Sequence, residues 1–330
     1  MHDLWFISFV IVLAVIFDFI NGFHDTANAV ATVISTRVLS PIFAILMSAS
    51  LNLLGALSGT AVAKTIGSGI IGTSVSQEVV AAALIGAIIW NLITWYFGIP
   101  SSSSHALIGG LIGGGIASVG TGVVKWSVLL NKVLLPFVAS PILGFFGAYV
   151  LIKILFFIFS KFPLGGVNSF FRRSQLFSSA FMAFSHGSND AQKTMGIITL
   201  ALISTHNIPA NPFTVPLWVI LLSACAMSAG TASGGWRIIK TMGTKLFTME
   251  PIHGFAAETA AATVIETASR FGYPLSTTHI ISSSILGIGS SKRSKAVHWN
   301  IVTRIVQAWV LTIPICTVLA FIAFKVIKIF

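Results

Sequence analysis

Long apolar runs alternate with short polar stretches along most of the chain. A helix needs about 20 apolar residues to cross the roughly 30 Å hydrocarbon core of a bilayer, and many runs approach that length. The pattern predicts an all-α polytopic membrane protein of about ten helical segments. The predicted segments cover residues 4–23, 41–63, 77–97, 105–119, 127–159, 174–187, 213–235, 251–271, 279–290 and 301–327.

Four of these segments differ from plain spans. Those ending near Phe23 and Gly187 run directly into polar stretches, and the segments from 105 and 279 are short and rich in Gly and Ser. These features predict broken or re-entrant helices, because non-helical backbone is tolerated at membrane depth only where protein or water covers it.

Two motifs occur twice, in the same order. The motif Gly98-Ile-Pro-Ser-Ser-Ser-Ser-His105 recurs 174 residues later as Gly272-Tyr-Pro-Leu-Ser-Thr-Thr-His279, and Gly22-Phe-His-Asp25 recurs 165 residues later as Gly187-Ser-Asn-Asp190. The recurrence predicts two transporter repeats, 1–160 and 174–330, joined by a short cytoplasmic linker at 161–173. Five crossings per repeat would make the repeats inverted, which is typical of secondary transporters with a site near the midplane.

Composition narrows the class of protein. The chain is 55% hydrophobic and 8% charged, against roughly 25% charged residues in soluble domains. The formal charge is +11, but the basic residues punctuate apolar runs instead of forming a nucleic-acid-binding module. Cys225 and Cys316 lie in apolar segments and are interpreted as packing residues, not as a disulfide or metal site.

Basic residues also predict orientation. Cytoplasmic loops of membrane proteins carry an excess of Lys and Arg. Three loops that fall on one side of the predicted topology are basic, which predicts a multi-pass protein of the cell membrane with both termini outside. Their basic residues are Lys161, Arg172 and Arg173; Arg237, Lys240 and Lys245; and Lys292, Arg293 and Lys295.

The Gly-Pro-hydroxyl motif predicts a helix end followed by a new helix start. Glycine ends the first helix and proline prevents its continuation, while Ser and Thr cap the free N–H groups of the next helix. Two such starts facing each other would bind a tetrahedral anion. The alternative is capping without a ligand, which two copies paired with acidic motifs disfavour. The hydroxyl residues are Ser101, Ser102, Ser103, Ser104, Ser276, Thr277 and Thr278.

The second motif places carboxylates inside apolar segments, where each costs about 2.5–3.5 kcal/mol or more and is a functional candidate. Carboxylate and amide oxygens suit a hard cation, and a carboxylate can also carry a proton. The candidates are His24, Asp25, Asn28, Asn189 and Asp190. Lys193 stands where the first repeat has Asn28 and would contact the anion or balance Asp190; the alternative is a buried structural ion pair.

Other polar residues allow two interpretations each. His105 and His279 end their motifs symmetrically and would either titrate with transport or fix the hairpin by a hydrogen bond. Glu258 and Glu266 lie eight residues apart on one helix face and would line a pathway or stabilise a bundle interior. Either role is open for Asp18.

These motifs resemble those of the inorganic phosphate transporter (PiT) family. The family signature G-x-N-D-x-A-N-A is similar to Gly22-Phe-His-Asp-Thr-Ala-Asn-Ala29 and, more loosely, to Gly187–Gln192. The resemblance implies a symporter with inverted repeats that assembles as a homodimer. It places Asp25, Asn28, Asp190 and both hydroxyl clusters at ligand or ion sites, and adds Glu258, which stands where the family commonly has an acidic residue.

Two departures from the family pattern bear on coupling. His24 replaces the asparagine that is usual in sodium-coupled members, and Lys193 replaces the second asparagine of the second repeat. His24 is similar to the residue of bacterial members that take up metal–phosphate complexes with protons. The coupling cation therefore stays open between H⁺ and Na⁺. Some bacterial members carry sulfate.

The sequence thus predicts a secondary active symporter that imports inorganic phosphate by alternating access, with no fixed metal or bound cofactor and no enzymatic activity. Phosphate would enter as the free anion or as a neutral divalent metal complex, since a bare dianion is poorly tolerated in a low-dielectric path. A sulfate permease of the same family and an anion channel are alternatives. An intramembrane Ser/His/Asp hydrolase is disfavoured because the serines are clustered and duplicated.

Overall fold

The structure is a computed structural model that describes residues 2–69, 75–205, 207–292 and 294–329. Every regular element in these residues is helical, as predicted. The helices are α1 (His2–Ser35), α2 (Pro41–Ala56), α3 (Ala61–Gly69), α4 (Gln77–Phe97), α5 (Ser103–Val119), α6 (Trp126–Val128), α7 (Leu135–Phe159), α8 (Leu164–Ser204), α9 (Leu217–Ser233), α10 (Trp236–Lys240), α11 (Pro251–Arg270), α12 (Thr277–Lys292) and α13 (Trp299–Ile327). The π-helical stretches Leu129–Leu134 and Thr241–Lys245 follow α6 and α10, and Thr121–Val123 and Ser294–Ala296 are 3₁₀ turns.

The interruptions predicted near Phe23 and Gly187 are wrong. α1 is one helix from His2 to Ser35, and α8 is one helix from Leu164 to Ser204. Neither contains a proline, and their polar side chains find partners on other helices. The backbone can therefore keep its helical hydrogen bonds through the polar stretch.

Helix breaks do occur at the Gly-Pro motifs. Gly98 and Gly272 adopt the left-handed conformation, with φ of 64° and 72°, that favours glycine at a helix C-terminus. The next residue closes each end, since Ile99 N–H donates to the Thr94 carbonyl and Tyr273 N–H to the Ala268 carbonyl, both at 2.9 Å. The short helices α5 and α12 then begin, close to the predicted starts at 105 and 279.

Apolar length supports a membrane protein. Within the described ranges, four helical stretches are long and apolar enough to cross a membrane alone: Trp5–Ser35, Gln77–Phe97, Trp126–Phe159 and Trp299–Ile327. Two bent pairs meet the same standard together, Pro41–Ala56 with Ala61–Gly67 at 73° and Leu217–Ser233 with Trp236–Lys245 at 59°. Large apolar side chains such as Trp5, Phe43 and Phe157 are exposed on the outer surface, which suits contact with lipid.

Apolar side chains form two separate clusters. Cluster I includes residues of α4, α5 and α9 with the first half of α1 and the last part of α8. Cluster II includes residues of α7, α11 and α12 with the second half of α1 and the first part of α8. Residues 18–26 of α1 and 184–190 of α8 belong to neither cluster. We call these two stretches the polar layer, and they contain the acidic motifs.

Close helix crossings hold the polar layer in place. A Cβ atom on Gly22 would collide with the backbone of Met227 and Gly230 in α9, and one on Gly187 with the backbone of Asn52 in α2. The motif glycines therefore let α1 and α8 approach their neighbours closely.

The predicted linker is mostly helical. α7 ends at Phe159 and α8 begins at Leu164, so residues 164–173 form the first turns of α8. Division of the chain into inverted repeats around this point stays a prediction.

Contacts gather several of the basic segments at one end of the molecule. Arg172 donates to the Arg37 carbonyl at 3.0 Å, and Lys292 Nζ lies 3.6 Å from Glu250 Oε1. A cavity of about 770 Å³ at this end is lined by residues that include Arg37, Arg172 and Glu250. Arg293 lies outside the described residues. Placement of this end in the cytoplasm stays a prediction.

Candidate functional site

The two predicted helix starts meet in the interior. Ser102 and Ser276 are buried first-turn caps whose hydroxyls accept from the backbone N–H groups of His105 and His279, at 3.3 and 3.2 Å. Ser104 Oγ donates to the Leu275 carbonyl at 3.0 Å, which joins one motif to the other. Because α5 and α12 both begin at this point, the free N–H groups and positive ends of the two helices face the same region.

The acidic residues contact these starts in the same way in both halves of the chain. Ser103 Oγ donates to Asp25 Oδ2 at 3.4 Å, and Thr277 Oγ1 donates to Asp190 Oδ2 at 3.4 Å. Ser103 and Thr277 are equivalent positions of the hydroxyl motif, as Asp25 and Asp190 are of the acidic motif. The structure thus pairs the same two motif positions twice.

Asn28 connects the two sets. Its amide Nδ2 donates to Thr277 Oγ1 at 3.2 Å and to Thr278 Oγ1 at 2.9 Å. Thr278 Oγ1 in turn donates to Asp25 Oδ1 at 3.5 Å. Both threonine hydroxyls of the second hydroxyl motif therefore lie against Asn28 of the first acidic motif.

Each carboxylate has a basic partner. His24 Nδ1 lies 2.6 Å from Asp25 Oδ1, and Lys193 Nζ lies 2.6 Å from Asp190 Oδ1. All four side chains are buried. Burial of an ionised group costs desolvation free energy, which a close hydrogen-bonded partner offsets.

A third basic group, His186, was not assigned from the sequence. Its Nε2 lies 3.7 Å from Asp190 Oδ2, and its Nδ1 lies 3.2 Å from Asn52 Oδ1. One ligand atom each of Asp25, His186 and Asp190 lie within 4.8 Å of one another, a spacing that one cation can bridge. The sequence could have indicated His186, because it precedes Asp190 by four residues and shares its helix face. No sequence feature indicated Asn52, which lies in an apolar helix.

Ser101, the remaining hydroxyl residue of the first motif, also contacts the central site. Ser101 Oγ lies 2.9 Å from Thr94 Oγ1 and 3.4 Å from His24 Nε2, and Thr94 Oγ1 lies 3.0 Å from the same nitrogen. Asn189 Oδ1 accepts from Ser269 Oγ of α11 at 2.8 Å, and its Nδ2 donates to Asp190 Oδ1 at 3.3 Å and to the Leu275 carbonyl at 3.2 Å.

Glu258 belongs to a separate cluster. Its Oε1 accepts from Thr32 Oγ1 at 2.5 Å and from Gln175 Nε2 at 3.0 Å, and its Oε2 accepts from Ser178. Thr36, which lines the 770 Å³ cavity, donates to Gln175 Oε1 at 2.9 Å. Thr32 is one helical turn beyond Asn28, so this cluster lies between the central site and the cavity.

His105 and His279 stack on each other behind the helix starts, with ring centroids 5.0 Å apart. Phe137 packs edge-on against both rings, and Trp309 packs against His279. Their backbone N–H groups donate to the caps described above, whereas His105 Nδ1 and both ring nitrogens of His279 have no hydrogen-bond partner among the described residues. The rings therefore pack against each other and do not fix the hairpins by the hydrogen bonds that the sequence allowed. Titration with transport stays a prediction.

Apolar spans that enclose two buried acidic residues and two facing helix starts define a polytopic membrane protein of the transporter class. The phosphate transporter family model matches residues 21–165 and 164–320, and this chain belongs to the phosphate transporter family. The chain is 45% identical over 322 residues to a protein of Bacillus subtilis named "Probable low-affinity inorganic phosphate transporter", covering 97% of this chain and 96% of that one.

Other comparisons agree. A protein of Rhizobium meliloti with the same name is 46% identical over 306 residues, covering 92% of this chain and 91% of that one. The solved structure of a sodium-dependent phosphate transporter superposes with a TM-score of 0.89 at 25% identity, covering 98% of this chain and 99% of the solved one. The predicted family is therefore confirmed.

Proposed function

We propose that this chain is a secondary active symporter that imports inorganic phosphate across the cell membrane by alternating access. The relatives that match nearly its whole length are named for inorganic phosphate transport. The observation that carries the proposal is the repeated contact of a helix-start hydroxyl with a buried carboxylate, Ser103 with Asp25 and Thr277 with Asp190. A binding site shared by two repeats needs both copies.

The anion would bind where the two helix starts meet. Backbone N–H groups, helix dipoles and hydroxyl donors stabilise negative charge, and Lys193 adds a buried positive charge 2.6 Å from Asp190. The nearby carboxylates accept hydrogen bonds and cannot donate them when ionised. Phosphate is protonated near neutral pH and can donate to such an acceptor, whereas sulfate cannot, so this arrangement favours phosphate over sulfate.

The coupling cation that this geometry favours is the proton. Both site carboxylates already hold a basic side chain at 2.6 Å, so added Na⁺ would compete with a resident cation, whereas a proton can be exchanged within each pair. A divalent ion that enters with phosphate as a neutral complex would bind Asp25, His186 and Asp190 by displacing those basic partners, and its second charge gives it an advantage over Na⁺ in doing so. Glu258 and its partners would connect the site with the cavity at the predicted cytoplasmic end.

Uptake of labelled phosphate into proteoliposomes tests the proposal. We expect accumulation under an inward proton gradient, no need for Na⁺, and little competition from unlabelled sulfate. Repeating the assay with and without Mg²⁺ distinguishes the free anion from the metal complex. Sodium-dependent accumulation would contradict proton coupling and make Na⁺ the coupling ion. Competition by sulfate would contradict selectivity for phosphate.

Symmetry provides the matched test of the site. Ser103→Ala and Thr277→Ala should each reduce uptake at least tenfold, because each removes one of two equivalent donors. The control is Ser223→Ala. Ser223 is a buried serine of α9, next to Ala224 of cluster I, and this variant should transport normally. Normal uptake in either site variant would contradict a two-copy anion site.

A hydrolase is the second candidate, since Asp25, His24 and Ser101 lie in the order of a catalytic triad. Two observations disfavour it. Thr94 Oγ1 lies 3.0 Å from His24 Nε2, closer than Ser101 Oγ, and the second repeat has Asn189 at the position of His24. Hydrolysis that needs Ser101 but not Thr277 would favour this alternative.

The homodimer implied by the family resemblance is also part of the proposal, and the mass of the purified protein in detergent tests it.

A further inference from the structure

A third motif occurs in both halves of the chain, outside the site described above. Gly59-Thr-Ala-Val-Ala-Lys-Thr-Ile-Gly67 recurs 176 residues later as Gly235-Trp-Arg-Ile-Ile-Lys-Thr-Met-Gly243. The first copy contains most of α3, and the second contains α10 and the start of the π-helical stretch after it. Each copy lies at and after the break of a bent helix pair. We call residues 59–67 and 235–243 the flanking segments.

The threonine of each flanking segment bonds a helix break in the other half of the chain. Thr65 Oγ1 donates to the Gly272 carbonyl at 2.7 Å, and Thr241 Oγ1 donates to the Gly98 carbonyl at 2.8 Å. These glycines are the left-handed residues that end α11 and α4, and they begin the two hydroxyl motifs. Each flanking segment therefore holds the hydroxyl motif of the other half in place.

The backbone of each flanking segment lies against the same glycine. A Cβ atom on Gly272 would lie 3.0 Å from the Ala61 carbonyl oxygen, and one on Gly98 would lie 3.2 Å from the Arg237 carbonyl oxygen. Ala61 and Arg237 are equivalent positions of the third motif. The same packing and the same hydrogen bond thus occur twice, once in each half of the chain.

The flanking segments lie on opposite sides of the polar layer. A Cβ on Gly67 would collide with the Gly196 carbonyl of α8, and one on Gly243 with the Ala31 carbonyl of α1. Both contacts lie beyond the acidic motif of the helix concerned, on the C-terminal side. Apolar residues of the first segment belong to cluster I and those of the second to cluster II. These residues are Val62, Ala63 and Ile66 in the first and Ile238, Ile239 and Met242 in the second.

We propose that Thr65 and Thr241 are positioning residues that close the anion site toward opposite faces of the membrane, and that breaking one of these two bonds at a time opens it. The inference rests on the proposed alternating access and deepens it by naming the two gates. Both bonds are present in the structure, so the hydroxyl motifs are held from both sides at once. A single hydrogen bond suits a gate, because water can replace its partners and the net free energy of breaking it is small.

The position of cluster II indicates which face each gate controls. Met249 and Ile252 belong to cluster II and also line the 770 Å³ cavity at the predicted cytoplasmic end. The Thr241 bond is therefore the gate on the predicted cytoplasmic side, and the Thr65 bond is the gate on the predicted outer side.

A further contact supports each flanking segment. Gln192 Oε1 of α8 accepts from the Val62 N–H at 2.8 Å near the start of α3. In the other segment, the Arg237 guanidinium donates to the Tyr96 carbonyl near the end of α4. These contacts allow each gate to be loosened without a change to its threonine.

Access to the site from each face tests the proposal and does not depend on transport. Ser103→Cys, in a background without Cys225 and Cys316, reports access by its rate of reaction with a membrane-impermeant thiol reagent. The reagent is applied to either face of vesicles of known orientation. We expect Thr65→Val to raise this rate at least about fivefold from one face and Thr241→Val to raise it as much from the other, with the remaining face of each within about twofold of the parent.

Two kinds of control accompany these variants. Thr244→Val removes a hydroxyl that donates to the Lys240 carbonyl of its own helical segment at 2.8 Å, and it should react like the parent. Thr65→Ser and Thr241→Ser keep the gate hydroxyls and should also react like the parent. If a valine variant does not fold, Gln192→Met and Arg237→Met loosen the same two segments, and we expect the same sidedness from them.

Other outcomes are decisive in the opposite direction. Unchanged reaction rates in both valine variants, or rates that rise equally from both faces, would overturn the inference and leave the proposed phosphate symport intact. A lower melting temperature without a sided change in rate would mean that the threonines only support the fold. A wild type that takes up no phosphate under a proton gradient, with sided rates in the valine variants, would overturn the proposed symport and not the gates.

Discussion

At the scale of single residues, the centre of this protein depends on pairs. Asp25 with His24 and Asp190 with Lys193 are buried pairs with 2.6 Å separations. The residue types and their placement inside apolar segments could be predicted, because a charge there is costly and rarely incidental. The partners from distant segments, His186, Asn52 and Thr94, could not, since no local pattern records which side chain lies opposite.

The Lys193–Asp190 pair allows a prediction about stability. Lys193→Met leaves Asp190 as an uncompensated buried charge, which costs about 3–5 kcal/mol. We expect its apparent melting temperature in detergent to fall by on the order of 5 °C or more. The double variant Lys193→Met/Asp190→Asn should lose less than Lys193→Met alone, because it removes both charges.

Lys328→Met is the matched control for that experiment. Lys328 bonds Glu78 at 2.8 Å, as Lys193 bonds Asp190, but its side chain is 53% exposed. Exposed pairs contribute about 0–1 kcal/mol, so the melting temperature should change little. Equal losses in Lys193→Met and Lys328→Met would contradict a special role of burial.

At the scale of helices, the sequence predicts breaks correctly where the backbone itself carries the signal. Gly98 and Gly272 have the positive φ that glycine favours, and the following prolines cannot continue a helix. The polar stretches after Phe23 and Gly187 gave a false signal, because polar side chains on an unbroken helix look the same in sequence as a loop. The interhelical contacts of Asp25, Asn28 and Asp190 allow these polar stretches to stay helical, and the sequence does not show those contacts.

Helix crossings give the second stability prediction. A Cβ on Gly187 would collide with the backbone of Asn52, so Gly187→Ala must push α8 away from α2. Overpacking of this kind costs about 1–3 kcal/mol, and we expect a lower melting temperature together with lost uptake. Gly147→Ala is the control, since its Cβ would meet only Ala260 Cβ at 3.9 Å and alanine favours helix by up to about 1 kcal/mol. A stable, active Gly187→Ala would show that the crossing is not needed.

At the scale of the whole molecule, the polar layer separates clusters I and II, and the two hydroxyl motifs meet across it. α5 contributes to cluster I and α12 to cluster II. Alternating access as proposed needs the two clusters to move relative to each other, because packed interiors deform little. The contact of Ser104 with the Leu275 carbonyl at 3.0 Å spans the boundary at which this proposed motion would occur.

A disulfide across this boundary tests the motion. Ser104→Cys with Leu275→Cys, in a background without Cys225 and Cys316, should lose uptake at least tenfold on oxidation and recover on reduction. Each single cysteine variant treated with the same oxidant is the control. Undiminished transport by the fully cross-linked protein would contradict relative motion at this point.

The continuity of α1 has a consequence for how distant parts of the molecule affect the site. At 1.5 Å per residue, its 34 residues extend for about 51 Å, with Asp18 and Asp25 near the middle. A rigid helix that pivots at its middle by about 10° displaces its two ends by roughly 4 Å in opposite directions. In the proposed alternating access, one unbroken helix would thus act as a lever that opens space at one face of the membrane as it closes space at the other.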